Sequence, residues 1–189
     1  MHSPIMSEAF EQRVRYLMPR LRSLVMASVW GFSAFVFAQE VVPKDLTPPW
    51  TGWVSWVADG DTLLVLPDQA HEAVKLRIQG IDAPERCQSG GEASRNAMID
   101  WVHHKTVLVT PHGTDTYGRV LGRVDIGGRD VDAEMVNAGM AWAYSFRTSA
   151  GPYAALERQA RRQKKGLFAQ AQPMTPKVFR QFHGSCQTP

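Results

Sequence analysis

Apolar and polar residues alternate without a break from Val74 to Gln79, with Val74, Leu76 and Ile78 on one side and Lys75, Arg77 and Gln79 on the other. A period of two predicts a strand with one face buried. The strand empties into Gly80-Ile81-Asp82-Ala83-Pro84-Glu85, a loop with two carboxylates three positions apart. Pro84 fixes its own φ and biases Ala83 toward an extended backbone, so both acids are held. Upstream, Val57-Ala58 and Leu63 to Leu66 flank Asp59-Gly60-Asp61, which predicts a β-hairpin with carboxylates at its bend. Downstream, Asp115-Thr116-Tyr117-Gly118-Arg119 is a turn that opens a strand through Val120 and Val124.

The remaining pattern is mixed. Trp53, Val54, Trp56 and Val57 break strict alternation, as in a strand buried on both faces or a bulged one. Core or barrel-end packing is expected of the two tryptophans, a base-stacking platform being the alternative. Ala93, Ala97, Met98, Trp101 and Val102 recur at helical spacing and predict a helix from Gly91 to His104. His103 and His104 are read as its end, where positive charge suits the helix dipole, rather than as zinc ligands. Val107 to Val109 predict a strand and His112-Gly113 a loop. Val131, Met135, Val136 and Met140 predict a short helix ending near Gly139. A last helix is expected over Tyr153 to Lys165, with Tyr153, Leu156 and Ala160 inward and Arg158, Arg161, Arg162, Lys164 and Lys165 outward. That basic face suits either a polyanion or the helix C-terminus. No structure is predicted for the tail after Gln172. Short strands with turn signals, followed by helices, imply an α+β fold in which helices pack on a small β-barrel.

The 189 residues suffice for one domain with appendages. A net charge of +3 would suggest a nucleic-acid partner, but the first 38 residues carry four arginines and two acids, which leaves the rest at +1. Those 38 residues read as a targeting segment: Arg20 and Arg22 precede the uncharged run Leu24 to Phe37, and Val36 and Ala38 suit a cut before Gln39. Counted from Met18, the segment has the usual proportions, which makes Met18 the expected start. Export to a periplasm or medium is expected, with an uncleaved membrane anchor as the alternative. The expected organisation is residues 1–38 as signal peptide, 39–49 as a Pro-containing linker, 50–170 as the domain and 171–189 as the tail. Cys87 and Cys186 both lie in the exported part, where an oxidising compartment favours pairing, with two free thiols as the alternative. A bond between them would contribute roughly 2 to 5 kcal/mol.

Asp59-Gly60-Asp61-Thr62, then Arg77 with Asp82-Ala83-Pro84-Glu85, then Asp115-Thr116-Tyr117-Gly118-Arg119 stand in that order. In this the chain resembles the thermonuclease family, the staphylococcal-nuclease-like domains, whose motifs run D-G-D-T, R-x4-D-(T/A)-P-E and D-x-Y-G-R. The likeness extends from about Trp53 to Phe168. It implies a five-stranded OB-like barrel with about three packed helices. It also implies an endonuclease acting on DNA and RNA with little sequence preference and leaving 3′-phosphate ends. A catalytically weak nucleic-acid-binding or scaffolding module of the same fold is the rival class.

Carried over residue by residue, Asp61 and Asp82 would hold Ca²⁺ with the backbone carbonyl of Ala83, which stands where the best-known member has Thr. Glu85 would act on water, and Arg77 and Arg119 would bind the scissile phosphate. Tyr117 and, more loosely aligned, Tyr144 would contact substrate. Asp59 either joins the cation through water or serves as a turn-forming Asx residue. The chemistry of the side chains agrees: oxygen donors without His or Cys favour Ca²⁺ over Mg²⁺ or Mn²⁺. Two guanidinium groups could clamp phosphoryl oxygens as charge builds. A monomer without a stable protein partner is expected.

Overall fold

The computed structural model describes residues 48–144 and 150–186. The expected targeting segment and most of the linker lie outside the described residues. Strand β1 (Trp50–Asp59) turns through Gly60-Asp61 into β2 (Thr62–Pro67), with Asp59 opposite Thr62, so the predicted hairpin forms. Strand β3 (Val74–Ile78) pairs antiparallel with β2 and buries Val74, Leu76 and Ile78, as its alternation requires. The two-residue β4 (Ile81–Asp82) follows, then helix α1 (Gly91–Val102). Strand β5 (Thr106–Thr114) pairs with β1, and β6 (Val120–Ile126) pairs with β5.

Parallel pairing of β6 with β3, Leu76 opposite Val120, closes β1, β2, β3, β5 and β6 into a five-stranded barrel. Closure leaves no free edge along that seam. Strand β7 (Arg129–Asp130) leads into helix α2 (Val131–Asn137), whose first turn is capped by the Asp130 side chain. Strand β8 (Trp142–Ala143) pairs with β4. Helix α3 (Ala154–Arg162), a 3-10 turn at Gly166–Ala169 and helix α4 (Pro176–His183) complete the described chain.

Val54, Val57, Leu63, Leu76, Ile78, Met98 and Val124 are fully buried in one cluster that fills the barrel and the space beneath α1. Burying each such side chain stabilises the fold by roughly 1.5 to 3 kcal/mol, which fixes the strand ends that carry the acids. Among the described residues no helix is long and apolar enough to cross a membrane.

The structure corrects several expectations. The tail, for which no structure was predicted, forms α4, the fourth α-helix among the described residues: Thr175 accepts from the Val178 N–H and Pro176 occupies the first turn. Trp53 and Trp56 are 45% and 46% exposed rather than packed in the core. A register shift between Val54 and Trp56 sends Val54 and Val57 inward and both tryptophans out. Trp53 stacks on His104, and the Arg95 guanidinium lies over Trp56. His112 and Gly113, expected in a loop, extend β5 across a bulge. On α1 Ser94 is buried along with Met98 and Val102, while Ala93, expected inward, faces solvent. Cys87 and Cys186 form a disulfide, which removes the free-thiol alternative.

Candidate functional site

The bend between β1 and β2 and the short strand β4 bring three acids together. Asp59 accepts from the Asp61 N–H, which is the Asx turn considered for it, and so turns the chain at the bend. Asp61 and Asp82 are 5% and 6% exposed. One oxygen of Asp61 accepts from the Ala83 N–H, which staples the bend to the loop after β4. Glycine is required at position 60 because a Cβ there would lie 2.0 Å from Ser94 Oγ and 2.8 Å from Ala83 Cβ. The bend is pressed against both α1 and the acidic loop.

Arg77 projects from β3 between these acids. Its Nη2 lies 3.0 Å from Asp61 and 3.2 Å from Asp82. Its Nη1 donates to the carbonyls of Ile78 and Ile81. One guanidinium therefore joins the bend, the strand end and the loop. It does not neutralise the cluster. Burial, reinforced by the neighbouring Asp61, pushes Asp59 up to about 7. Burial and the same neighbour raise Asp82, against the opposing pull of Arg180 and Arg77. Packing like charges out of water costs free energy, and that cost falls when a cation arrives.

Glu85 is partly exposed at the end of the loop. Its N–H donates to Gln88 Oε1, and a Cβ at position 91 would come within 2.0 Å of its carbonyl oxygen. The start of α1 thus packs directly against the loop carrying Glu85. Arg119 is held by Asp115, whose oxygens accept from the Arg119 Nε at 2.7 Å and from the N–H groups of Tyr117 and Arg119. Burial pushes the Asp115 carboxyl up, but these hydrogen bonds outweigh it and hold the group below its usual range. The Arg119 guanidinium lies 5.6 Å from the Tyr117 ring, and Tyr117 is 83% exposed. Tyr144 is fixed by its N–H to the Gly80 carbonyl, with its side chain open to solvent.

Asp59, Asp61, Arg77, Asp82, Glu85, Tyr117, Arg119 and Tyr144 all line one open cleft of about 770 Å³. Residues from sequence positions 59 to 144 therefore meet on a single surface. Among the described residues, no group of three His, Cys, Asp or Glu side chains is arranged to hold a metal by itself. A cation here would rest on the two carboxylates of Asp61 and Asp82, a backbone carbonyl and water. Such an all-oxygen donor set fits a hard divalent ion. The basic residues of α3 stand elsewhere, facing solvent, with Arg161 paired to Glu157 and over Phe168.

Sequence reasoning missed Arg180. This residue of α4 enters the same cleft, its Nη1 2.8 Å from Glu85 Oε1 and its Nη2 3.3 Å from Asp82. Pairing of Cys186 with Cys87, two residues after Glu85, was the one signal that could have brought the tail to the acids. Also missed was a buried network behind the site, where Asp132 accepts from the Val124 N–H and the Tyr153 hydroxyl.

Comparison with known proteins matches residues 75–170 to the staphylococcal nuclease homologue family. A protein of Escherichia coli described as an uncharacterized endonuclease is 39% identical over 147 residues, spanning 77% of this chain and 92% of that protein. A micrococcal nuclease of Shigella flexneri is 36% identical over 158 residues, spanning 76% and 89%. A probable endonuclease of Scheffersomyces stipitis is 35% identical, spanning 81% and 86%.

Proposed function

The chain belongs to the staphylococcal nuclease homologue family and is an endonuclease of that kind, and we propose that it is an exported, metal-dependent one. It hydrolyses phosphodiester bonds of DNA and RNA with low sequence specificity and leaves 3′-phosphate ends. The observation that carries this reading is the acid cluster of buried Asp61 and Asp82 with half-buried Asp59. It has more negative charge than Arg77 offsets, and it opens on a cleft rimmed by Arg119 and Tyr117. Oxygen donors alone favour Ca²⁺, with Mg²⁺ and Mn²⁺ behind it.

Asp61, Asp82 and the Ala83 carbonyl would hold the ion. Bound there, it would polarise a phosphoryl oxygen and offset the charge of the transition state. Glu85 takes the proton of the attacking water, whose oxygen bonds to phosphorus as the bond to O5′ breaks. The phosphate stays on the 3′ side, and the departing O5′ takes a proton from solvent water in the open cleft and leaves as a hydroxyl. Arg77 and Arg119 face the non-bridging oxygens, where a preorganised guanidinium gains most as charge develops. Tyr117, exposed beside Arg119, meets the sugar-phosphate or stacks on a base. Contacts of these kinds read the backbone and not base edges, which accounts for low sequence specificity. Export is supported by the leader-like pattern before Gln39 and by the Cys87–Cys186 disulfide, which suits an oxidising compartment.

The test is cleavage of single-stranded DNA, duplex DNA and RNA with Ca²⁺, with Mg²⁺ and with chelator, comparing wild type with Glu85→Gln. Calcium-dependent cutting is expected, with phosphatase-sensitive 3′ ends and a loss of about 10²- to 10⁴-fold in the variant. A folded protein that binds oligonucleotides but cuts none of them with any ion would return the chain to the binding-module class.

A further inference from the structure

The family match ends at residue 170, yet one link at that last residue and three beyond it tie the chain back to the loop that presents Glu85. Gln170 Nε2 donates to Ser89 Oγ. Gln88, itself buried, donates to the Met174 carbonyl at 2.6 Å while its Oε1 accepts from the Glu85 N–H. Cys186 is bonded to Cys87. Arg180 bridges Glu85 Oε1 and both oxygens of Asp82. Among the described residues, all hydrogen bonds of the Arg180 side chain go to these two acids.

We infer that Arg180 is a positioning residue for the cleavage reaction, and that the segment from Met174 to Cys186 is a part of the active site held in place by the disulfide. This rests on the reading of Glu85 as the group that acts on water. Glu85 stands on a loop, and a free carboxylate there would sample several rotamers. Arg180 occupies Oε1 and so leaves Oε2 as the oxygen presented to the cleft. By holding Asp82 with the same guanidinium, it also fixes the spacing between the two acids. A fork of several N–H donors can do this, whereas a point charge does so less well. Misplacement of a reacting group by about 1 Å can cost on the order of 10²-fold in rate. Helix α4 has eight residues and only one buried one, Pro176. A helix this short is marginal alone, so its position depends on the covalent tie at Cys186.

The experiment uses the full chain as wild type, Arg180→Ala, Arg180→Lys, Cys87→Ser/Cys186→Ser and the combination of the last with Arg180→Ala. Two quantities are read: the kcat and KM for oligonucleotide cleavage, and the hydrogen exchange of the amides from Glu85 to Gly91 without substrate. Arg180→Ala is expected to lower kcat by about 10- to 100-fold with little change in KM, and Arg180→Lys to recover part of it. The double-cysteine variant is expected to fall by a similar factor, and the combination to fall no further, since both act through one unit. Loop amides should exchange at least about 10-fold faster in every variant that loses the tie. Turnover of Arg180→Ala equal to or above wild type, or a loss confined to KM, would overturn the inference, as would unchanged loop exchange. A wild type that does not cut at all, with loop exchange still responding to Arg180→Ala, would fault the enzymatic reading and leave the positioning contact standing.

Discussion

Arg77→Ala removes the only guanidinium of the barrel that touches both Asp61 and Asp82. The side chain is 16% exposed, and its two partners are 7% and 8% exposed, so the pair lies largely outside water screening. Breaking a buried pair by deleting one partner costs about 3 to 5 kcal/mol, here because Asp61 is left without compensation while Asp82 keeps Arg180. The carbonyls of Ile78 and Ile81 lose a donor as well, but water entering the vacated space can serve them, so the same range is expected overall. That is a large share of the roughly 5 to 15 kcal/mol that holds a small domain together. The loss should be smaller with calcium present. An ion bound by the native state alone stabilises it by about 2.7 kcal/mol at a hundredfold excess over Kd. Removal of a competing positive charge tightens its binding to Asp61 and Asp82, so the variant gains more than wild type. Urea unfolding of both proteins, with calcium and with chelator, measures this as a gap between midpoints that narrows when calcium is added. A loss below about 1 kcal/mol would refute the assignment of Arg77 as the internal counter-ion. A gap that calcium leaves unchanged would refute the assignment of the acids as the cation site.

Two other perturbations probe the surroundings. Burial and the neighbouring Asp130, against the opposing pull of Arg123, push Asp132 up to about 8, whereas unfolding returns it to the ordinary carboxylate range near 3.8. The folded state therefore binds the extra proton: this contribution is fully present below the unfolded value and is lost as pH rises through about 8, at roughly 1.4 kcal/mol per unit. Wild type should lose stability between pH 5 and pH 8, and Asp132→Asn, which keeps an acceptor for the Val124 N–H, should lose clearly less; equal slopes in urea unfolding would contradict the account. Gly60→Ala should destabilise by about 1 to 3 kcal/mol and lower cleavage, because the new methyl collides with Ser94 Oγ and shifts the bend that carries Asp61. Adding Ser94→Gly removes the closest clash, so the pair should be less harmful than the sum of the two single changes, which a double-mutant cycle on stability checks.

What could be read in the sequence was what neighbouring residues decide among themselves. The alternation at Val74 to Gln79 placed Arg77 on the face of a strand that points away from the barrel core, and the Asp-Gly bend placed Asp61 at a hairpin tip; both follow from local periodicity and turn chemistry. Features set by distant partners were not legible. The direction of Trp53 and Trp56 depends on a bulge against β2, which alternation alone cannot place. Asp132 lies on a short helix whose sequence gives no hint that Val124 and Tyr153 will enclose it. The tail carried a local signal that went unused: Thr175 followed by Pro176 is a helix start. The position of that helix, however, is set by Cys87 and by the acids, more than eighty residues earlier.

That difference in range separates the two arginines that face the acids. Arg77 comes from a central strand whose neighbours are fully buried, so its position is fixed by the same contacts that fold the barrel. Arg180 comes from a helix with little core of its own, joined to the barrel by a disulfide and a few hydrogen bonds. The cluster they share works against stability, since burial raises both Asp59 and Asp82, and a fold selected for stability alone would not collect three acids in one place. Both cations reduce that cost, but their loss has different consequences. Without Arg77 the charge stays buried and the barrel itself weakens. Without Arg180, which is 36% exposed at its side chain, water reaches the acids and the barrel persists, while Glu85 loses the contact that orients it. Stability should therefore report on the first residue and turnover on the second.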